Sequence, residues 1–363
     1  TMQFANYNNM GKRKETSKMK QLFRILLSIV LTFMVYVLGA WAEDYPKMNL
    51  RYANMIAKQI PSSKVQIYVA EELTKQTNGA VNVQIFHGGT LGSSAEMIDL
   101  IGEGAVDIGN FVSSYVFSRL PMQAFFTMPL VYPDIQSVTQ LTRQGWQKSK
   151  KMQEDLVKNK LYPFGFAGMA VTRIISKKPI HSLKDLQGLK VRTFGPTFPI
   201  LLQKLGAVPV NLQFNEVYEG LQRGTVDAAL ASYTSAYYFK YFEVAKYFSD
   251  INLGTDFTSC TYVNLDLYNK WPPNLKTLFN TIVKEAEVLS DKIHIGFEDY
   301  ARDEQLKAGV KVIHFQDQDK VTALKDYAID LTVEAIAKQG KEYEKPAMEY
   351  AKWLKAELAK RRK

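Results

Sequence analysis

Glu96-Met97-Ile98-Asp99-Leu100-Ile101-Gly102-Glu103-Gly104-Ala105-Val106-Asp107 decides the reading of this chain, because its pattern returns as Glu216-Val217-Tyr218-Glu219-Gly220-Leu221-Gln222-Arg223-Gly224-Thr225-Val226-Asp227. Six of the twelve positions agree without a gap: Glu, an acid, a branched aliphatic residue, Gly, Val and Asp. Each copy reads as a helix, a glycine that tolerates positive φ just past its end, and a strand. A duplicated unit of this kind implies two similar lobes. In open α/β sheets, ligands bind outside the carboxyl ends of the strands. The loops after Asn110 and Ala231, which follow equivalent strands, are therefore candidate walls of one cleft.

The flanks extend the pattern. Met48, Leu50 and Tyr52 alternate with Asn49 and Arg51, and Val81, Val83 and Ile85 alternate with Asn82 and Gln84. Both have the period of a strand. Ser62-Ser63 is placed to cap a helix with apolar spacings of three and four, and Ser93-Ser94 precedes a second such helix. Around the second copy, Ser182-Leu183-Lys184-Asp185 resembles a capping box. Leu189–Phe194 and Val208–Leu212 read as strands, Phe198–Leu205 as a helix stopped by Gly206, and Asn215 as the cap of the Val217 helix. Strand, helix, strand in succession predicts an α/β fold with a mostly parallel sheet. The last third is helical by period over 275–291 and 321–337. Pro346 suits the first turn of a final helix running to about Arg362.

Composition excludes several classes. The 363 residues are 46% hydrophobic and 23% charged, which is ordinary for a folded chain long enough for two domains. A basic start at Lys20 and Arg24, an apolar run over 25–38 and Ala40-Trp41-Ala42 describe a secretory signal peptide. The run is too short for a membrane span of about 20 residues. Residues 1–18 read as an extension upstream of that signal, so segment 1–42 is set apart and the remainder is expected in the periplasm. Without that segment the net charge is +5, with both signs interspersed, and nucleic acid is not an expected partner. The only cysteine, Cys260, reads as a buried inert thiol.

Catalytic chemistry is hard to find. His87, His181, His294 and His314 show no metal-ligand spacing, and no nucleophile elbow or phosphate loop occurs. No cofactor and no metal are expected, and the chain does not read as an enzyme. His87-Gly88-Gly89 reads as a tight turn. Ser232, Tyr233, Thr234, Tyr237, Tyr238, Phe239, Tyr241 and Phe242 follow the second copy. Tyrosines there suit a ligand cleft, because each pairs a broad apolar face with a polar tip; helix packing explains their spacing equally well. Arg192 stands inside an otherwise buried strand. A buried guanidinium needs an anionic partner, and position alone leaves open whether that is a protein carboxylate or a ligand carboxylate.

Gly88-Gly89-Thr90-Leu91-Gly92, Gly104-Ala105-Val106-Asp107, Met128-Pro129-Leu130, the run Lys178–Arg192 and the run Glu216–Asp227 occur in one order. Together they resemble the substrate-binding (DctP-type) subunits of tripartite ATP-independent periplasmic (TRAP) transporters. The resemblance implies a two-lobed α/β clamshell with hinge strands and a long lobe-bridging helix. It implies capture of a small organic acid and delivery to integral-membrane permease subunits. Arg192 matches the arginine that grips the ligand carboxylate, and Phe214 an aromatic pocket position. Arg173 is the nearest candidate for a second arginine, offset toward Thr172. Ser113, Ser232 and Tyr233, on the two loops at the strand ends, complete the candidate set. Ala228–Ala231 replaces the polar residue that sialic-acid binders carry, which argues against that ligand. Lobe I is expected over 43–170 plus about 257–296, and lobe II over 171–256 plus about 297–363. A binding protein of another importer or of a sensor is the alternative, with a periplasmic enzyme behind it.

Overall fold

The computed structural model describes residues 45–361, the side chains of 256–259 excepted. The expected signal segment lies outside these residues. Among the described residues the strands form two mixed sheets.

The first sheet has the order β2-β1-β3-β10-β4. Its strands are β1 (Met48–Ala53), β2 (Val81–Phe86), β3 (Ile108–Phe111), β4 (Leu161–Val171) and β10 (Thr255–Asn264). β1 pairs in parallel with β2 and β3, while β10 runs antiparallel to β3 and β4. The crossovers are α1 (Ser63–Gln76) and α2 (Ser94–Gly102). Ser93 and Glu96 close a capping box on α2, whereas Ser62 makes no side-chain cap on α1. Helices α3 (Ile135–Lys148) and α4 (Lys150–Lys158) precede β4.

The second sheet has the order β11-β9-β5-β8-β6-β7. It is built from β5 (Arg173–Ser176), β6 (Lys190–Thr193), β7 (Val208–Asn211), β8 (Ala228–Ala231), β9 (Tyr247–Ser249) and β11 (Lys311–Ile313). β6 is parallel to β7 and β8, and β5 is antiparallel to β8 and β9. Of its helices, α5 (Phe198–Lys204) packs on the face of Ile174, Ala228 and Leu230, and α6 (Val217–Arg223), α7 (Tyr233–Tyr238) and α8 (Tyr241–Val244) pack on the face of Ile175, Ala229 and Ala231. Gly224 ends α6 at φ +81°, the left-handed stop read from the repeat. Gln213 and Glu216 form the capping box before α6, so Asn215 does not cap it. A glutamate three residues after the cap can return a bond to the cap's own N–H, and Asn215 has no such partner.

The chain crosses between the sheets at Thr172 and again at Leu253-Gly254. The crossings lie side by side: Thr172 N donates to Gly254 O at 2.9 Å and Leu253 N to Thr172 O at 3.0 Å. Gly254 has φ +88°, and a Cβ there would stand 2.6 Å from the Leu130 backbone nitrogen, so no other residue fits. After α9 (Leu265–Lys270), α10 runs unbroken over Pro273–Lys307. Its 35 residues span about 52 Å at 1.5 Å per residue. The helix predicted over 275–291 thus continues well beyond its expected end, because no proline or capping signal interrupts it.

After β11, residues 311–324, including α11 (Gln318–Thr322), stay with the second sheet: Phe315 and Val321 join Leu201 and Leu230 in its core. Then α12 (Lys325–Ala337) and α13 (Lys341–Lys360) return to the first sheet. Ile329, Ala347 and Leu354 share one core with Met122, Phe125 and Leu141. The expectation that all of 297–363 belongs to the second lobe is therefore corrected. An apolar helical stripe shows that a face is covered, not which lobe covers it. Pro346 also sits deeper than predicted, because α13 begins at Lys341.

Candidate functional site

The carboxyl ends of β1, β2 and β3 are tied by a buried polar network. Asn110 Nδ2 donates to Asn54 Oδ1 at 3.0 Å, and Met55 N donates to Asn110 Oδ1 at 2.8 Å. Asn54 Nδ2 and His87 Nδ1 lie 3.2 Å apart. His87 belongs to the turn read from Gly88 and Gly89, which stand at φ +73° and +70°. This network fixes the loop after β3, whose short 3-10 turn Ser113–Val116 carries Tyr115.

Opposite stands Arg192 on β6, 0% exposed. Its Nε donates to Leu212 O at 2.9 Å and its Nη1 to Leu230 O at 3.3 Å. The guanidinium lies 4.4 Å from the Phe214 ring centre and 5.0 Å from that of Phe194. Two aromatic faces with two backbone acceptors hold the planar fork in one orientation. Phe214 is itself held: Tyr241 donates its hydroxyl proton to Phe214 O at 2.6 Å, and the Phe239 ring stacks on it at 5.6 Å. Tyr115 of the first lobe faces Arg192 and the Phe214 backbone; burial raises its phenol pKa and the arginine charge opposes the rise. A Cβ on Gly195 would stand 3.4 Å from Ser114 Cβ, so the two loops meet face to face. Gly195 has φ +67°, a backbone state that glycine adopts without strain. Among the buried hydroxyl oxygens on these loops, Ser114 Oγ, Thr193 Oγ1 and Thr197 Oγ1 have no hydrogen-bond partner among the described residues.

A second polar cluster lies near the crossing. Arg173 Nη1 donates to Glu298 Oε1 of α10 and to Val171 O, both at 3.0 Å. The Arg173 guanidinium also lies 4.9 Å from the Tyr233 ring centre. The same carboxylate accepts from Tyr233 N, Thr234 N and Thr234 Oγ1. Burial raises the Glu298 pKa, and those hydrogen bonds together with Arg173 counter the rise. This cluster locks α7 onto α10.

A family model described as bacterial extracellular solute-binding protein, family 7, matches residues 55–337. The chain belongs to that family. A solute-binding protein of Roseobacter denitrificans is 26% identical over 208 residues, which is 57% of this chain and 63% of that one. The match thus spans somewhat less than two thirds of that relative's length. The C4-dicarboxylate-binding periplasmic protein DctP of Rhodobacter capsulatus is 27% identical over 245 residues, 65% of this chain and 71% of its own. Among solved structures, a TRAP periplasmic solute binding protein from Sulfitobacter sp. NAS-14.1, with bound β-D-galacturonate, superposes with TM-score 0.72 at 22% identity, over 84% of this chain and 100% of that one. The two-lobed α/β architecture is therefore shared with that structure.

Within this family-7 frame the expected site residues separate into groups. Arg192 and Phe214 come together. Arg173 and Tyr233 come together elsewhere, in the Glu298 cluster, and Tyr233 also packs on Phe248 with ring centres 4.4 Å apart. Ser232 caps α7 through Ser235. Ser113 is buried and turns toward the Tyr262 hydroxyl, leaving its neighbour Ser114 at the meeting of the loops. Sequence reasoning missed Ser114, Tyr115 and Phe194. Phe194 had a readable signal, a second aromatic two residues from Arg192 on the same strand exit. Cys260 is fully buried, and burial pushes its thiol pKa up, as read.

Proposed function

We propose that this chain is an extracytoplasmic solute-binding protein that captures a small organic acid in the periplasm and delivers it to a TRAP-type membrane permease. One observation carries the reading: a fully buried guanidinium, Arg192, held between Phe194 and Phe214 where the two lobes meet and faced across the cleft by Tyr115. A carboxylate suits the planar shape of such a fork, through two parallel hydrogen bonds. No chemical step is part of this reading.

The same cleft favours one class of acid. Arg173, the second arginine expected there, is engaged by Glu298, so one guanidinium meets one carboxylate. The unpartnered hydroxyls of Ser114, Thr193 and Thr197 suit a ligand rich in hydroxyl groups. A hydroxylated monocarboxylate of the sugar-acid class fits both features better than a C4 dicarboxylate.

The test is calorimetric titration with D-galacturonate, D-glucuronate, succinate and malate against wild type, Arg192→Ala and Arg192→Lys, with circular dichroism to confirm folding. Removing one partner of a buried charge pair costs about 2–5 kcal/mol, so Arg192→Ala should weaken binding by roughly thirty- to several-thousand-fold. Lysine should restore only part, since an ammonium lacks the fork. A folded Arg192→Ala that binds within about threefold of wild type, far short of that loss, removes Arg192 as the anchor. Tighter binding of succinate than of either uronate overturns the ligand class.

A further inference from the structure

A second enclosed space lies inside the first lobe. It is a cavity of about 80 Å³, partly open to solvent, between α1, the sheet face formed by β1, β4 and β10, and the first half of α10. Its lining comes from those elements and the loop before α1, with nothing from the second sheet or from the loop bearing Tyr115. It is therefore separate from the cleft at Arg192.

The walls are mostly apolar, with Val65, Val69, Met169, Val283 and Ala286 among them. At the floor, the Tyr52 hydroxyl bonds Thr261 Oγ1 at 3.2 Å and also faces Gln66. Gln66 lines the same space, is only 8% exposed, and its Oε1 has no hydrogen-bond partner among the described residues. A buried amide oxygen without a donor is costly, and such a group calls for a bound partner. The electrostatics exclude an anion. No lysine or arginine is among the lining residues. Glu287 at the wall is engaged by Arg143 and by Phe166 N. His294, whose Nδ1 lies 3.1 Å from Ser290 Oγ, is buried, and burial lowers its pKa and favours the neutral ring.

We propose that this cavity is a second binding site, for a small neutral molecule that is mainly apolar and donates one hydrogen bond to Gln66 Oε1, of the phenol or indole class. The acid of the main cleft does not enter it, because nothing there balances a carboxylate. An apolar ring fills the space against Val69, Val283 and Ala286, and a single O–H or N–H satisfies the amide oxygen.

Phenol and toluene are the probes, titrated into the full chain by ligand-observed NMR. Phenol should saturate with a dissociation constant on the order of 0.1–1 mM, as suits so few heavy atoms. Gln66→Leu keeps the volume and removes the acceptor. It should weaken phenol about five- to tenfold and leave toluene unchanged or tighter. Ala286→Leu fills the space and should abolish both probes, with a melting temperature at or above wild type because the added carbons enter existing volume. Arg192→Ala should leave phenol binding intact, which separates this site from the anion cleft. If phenol fails to saturate below about 10 mM, far weaker than a formed site of this size allows, or if Gln66→Leu binds phenol as wild type does, the proposal is wrong. Should Ala286→Leu fail to fold, the phenol–toluene contrast in Gln66→Leu still decides.

Discussion

Two arginines near the lobe junction have different surroundings, and the difference sets what each substitution should do. Arg192 is wholly buried between two rings, so under its proposed role its neighbours should tune ligand affinity. Phe214→Leu removes the closer ring and with it a desolvated cation–π contact of about 0.5–2 kcal/mol. Affinity for the acid should fall roughly two- to thirtyfold by titration, with the unfolding midpoint little changed; an unaltered affinity would mean that the ring does not orient the fork. Arg173 instead shares Glu298 with the N–H groups of Tyr233 and Thr234. Arg173→Ala leaves that carboxylate without its cation. The pair is partly exposed, at 21% and 14%, so the loss should be about 1–3 kcal/mol in urea unfolding, below the 3–5 kcal/mol of a fully dry pair. A variant as stable as wild type but unable to bind would return Arg173 to the ligand site.

At the scale of elements, strand and turn chemistry was legible because it is local. The capping box at Ser182 and the left-handed stop at Gly224 are written in adjacent residues and stand where they were read. What could not be read depends on partners far along the chain. The reach of Tyr115 to Arg192 requires two loops to meet, and the docking of α12 and α13 on the first lobe requires knowing which core is incomplete. Gly145 of α3 shows how close that docking is. A Cβ there would fall 1.9 Å from the Tyr350 hydroxyl oxygen and 2.6 Å from its ring carbon Cζ, and the Tyr350 ring is stacked on Phe125 at 4.4 Å. Gly145→Ala should cost about 1–3 kcal/mol through overpacking, measured by thermal unfolding. Helix α10 adds a pH signature. Asp291 accepts from Thr139 Oγ1 at 2.9 Å, and burial raises its pKa above the ordinary 3.8. A carboxyl raised in the folded state contributes stability that is present below its unfolded pKa and lost as pH rises through the folded value. Asp291→Asn keeps the acceptor and removes the titration. Melting temperatures recorded upward from pH 4 should therefore fall less steeply with pH in the variant than in wild type, and parallel profiles would exclude Asp291 as a contributor.

For the whole molecule, each sheet has its own core. Met97, Phe125 and Leu161 lie in one; Leu201, Leu230 and Phe315 lie in another that contains no residue of the first. What joins them is narrow: the paired crossings at Thr172 and Gly254, the return of the chain between α11 and α12, and α10, which binds Arg143 of the first lobe through Glu287 and Arg173 of the second through Glu298. Independent cores joined by narrow connections are the layout in which closure about hinges is the expected response to a ligand. The loops that meet in this closed arrangement are those of Ser114 and Gly195, where a Cβ added to Gly195 would stand 3.4 Å from Ser114 Cβ. A bulky residue at Ser114 should therefore act as a wedge without entering either core. Ser114→Trp should keep the wild-type circular dichroism spectrum, while small-angle scattering gives a larger radius of gyration than wild type. Saturating ligand should shrink the wild-type radius and leave that of the wedge variant unchanged. Equal radii for the two proteins, with and without ligand, would mean that the lobes do not move and that the Arg192 cleft binds as a rigid site.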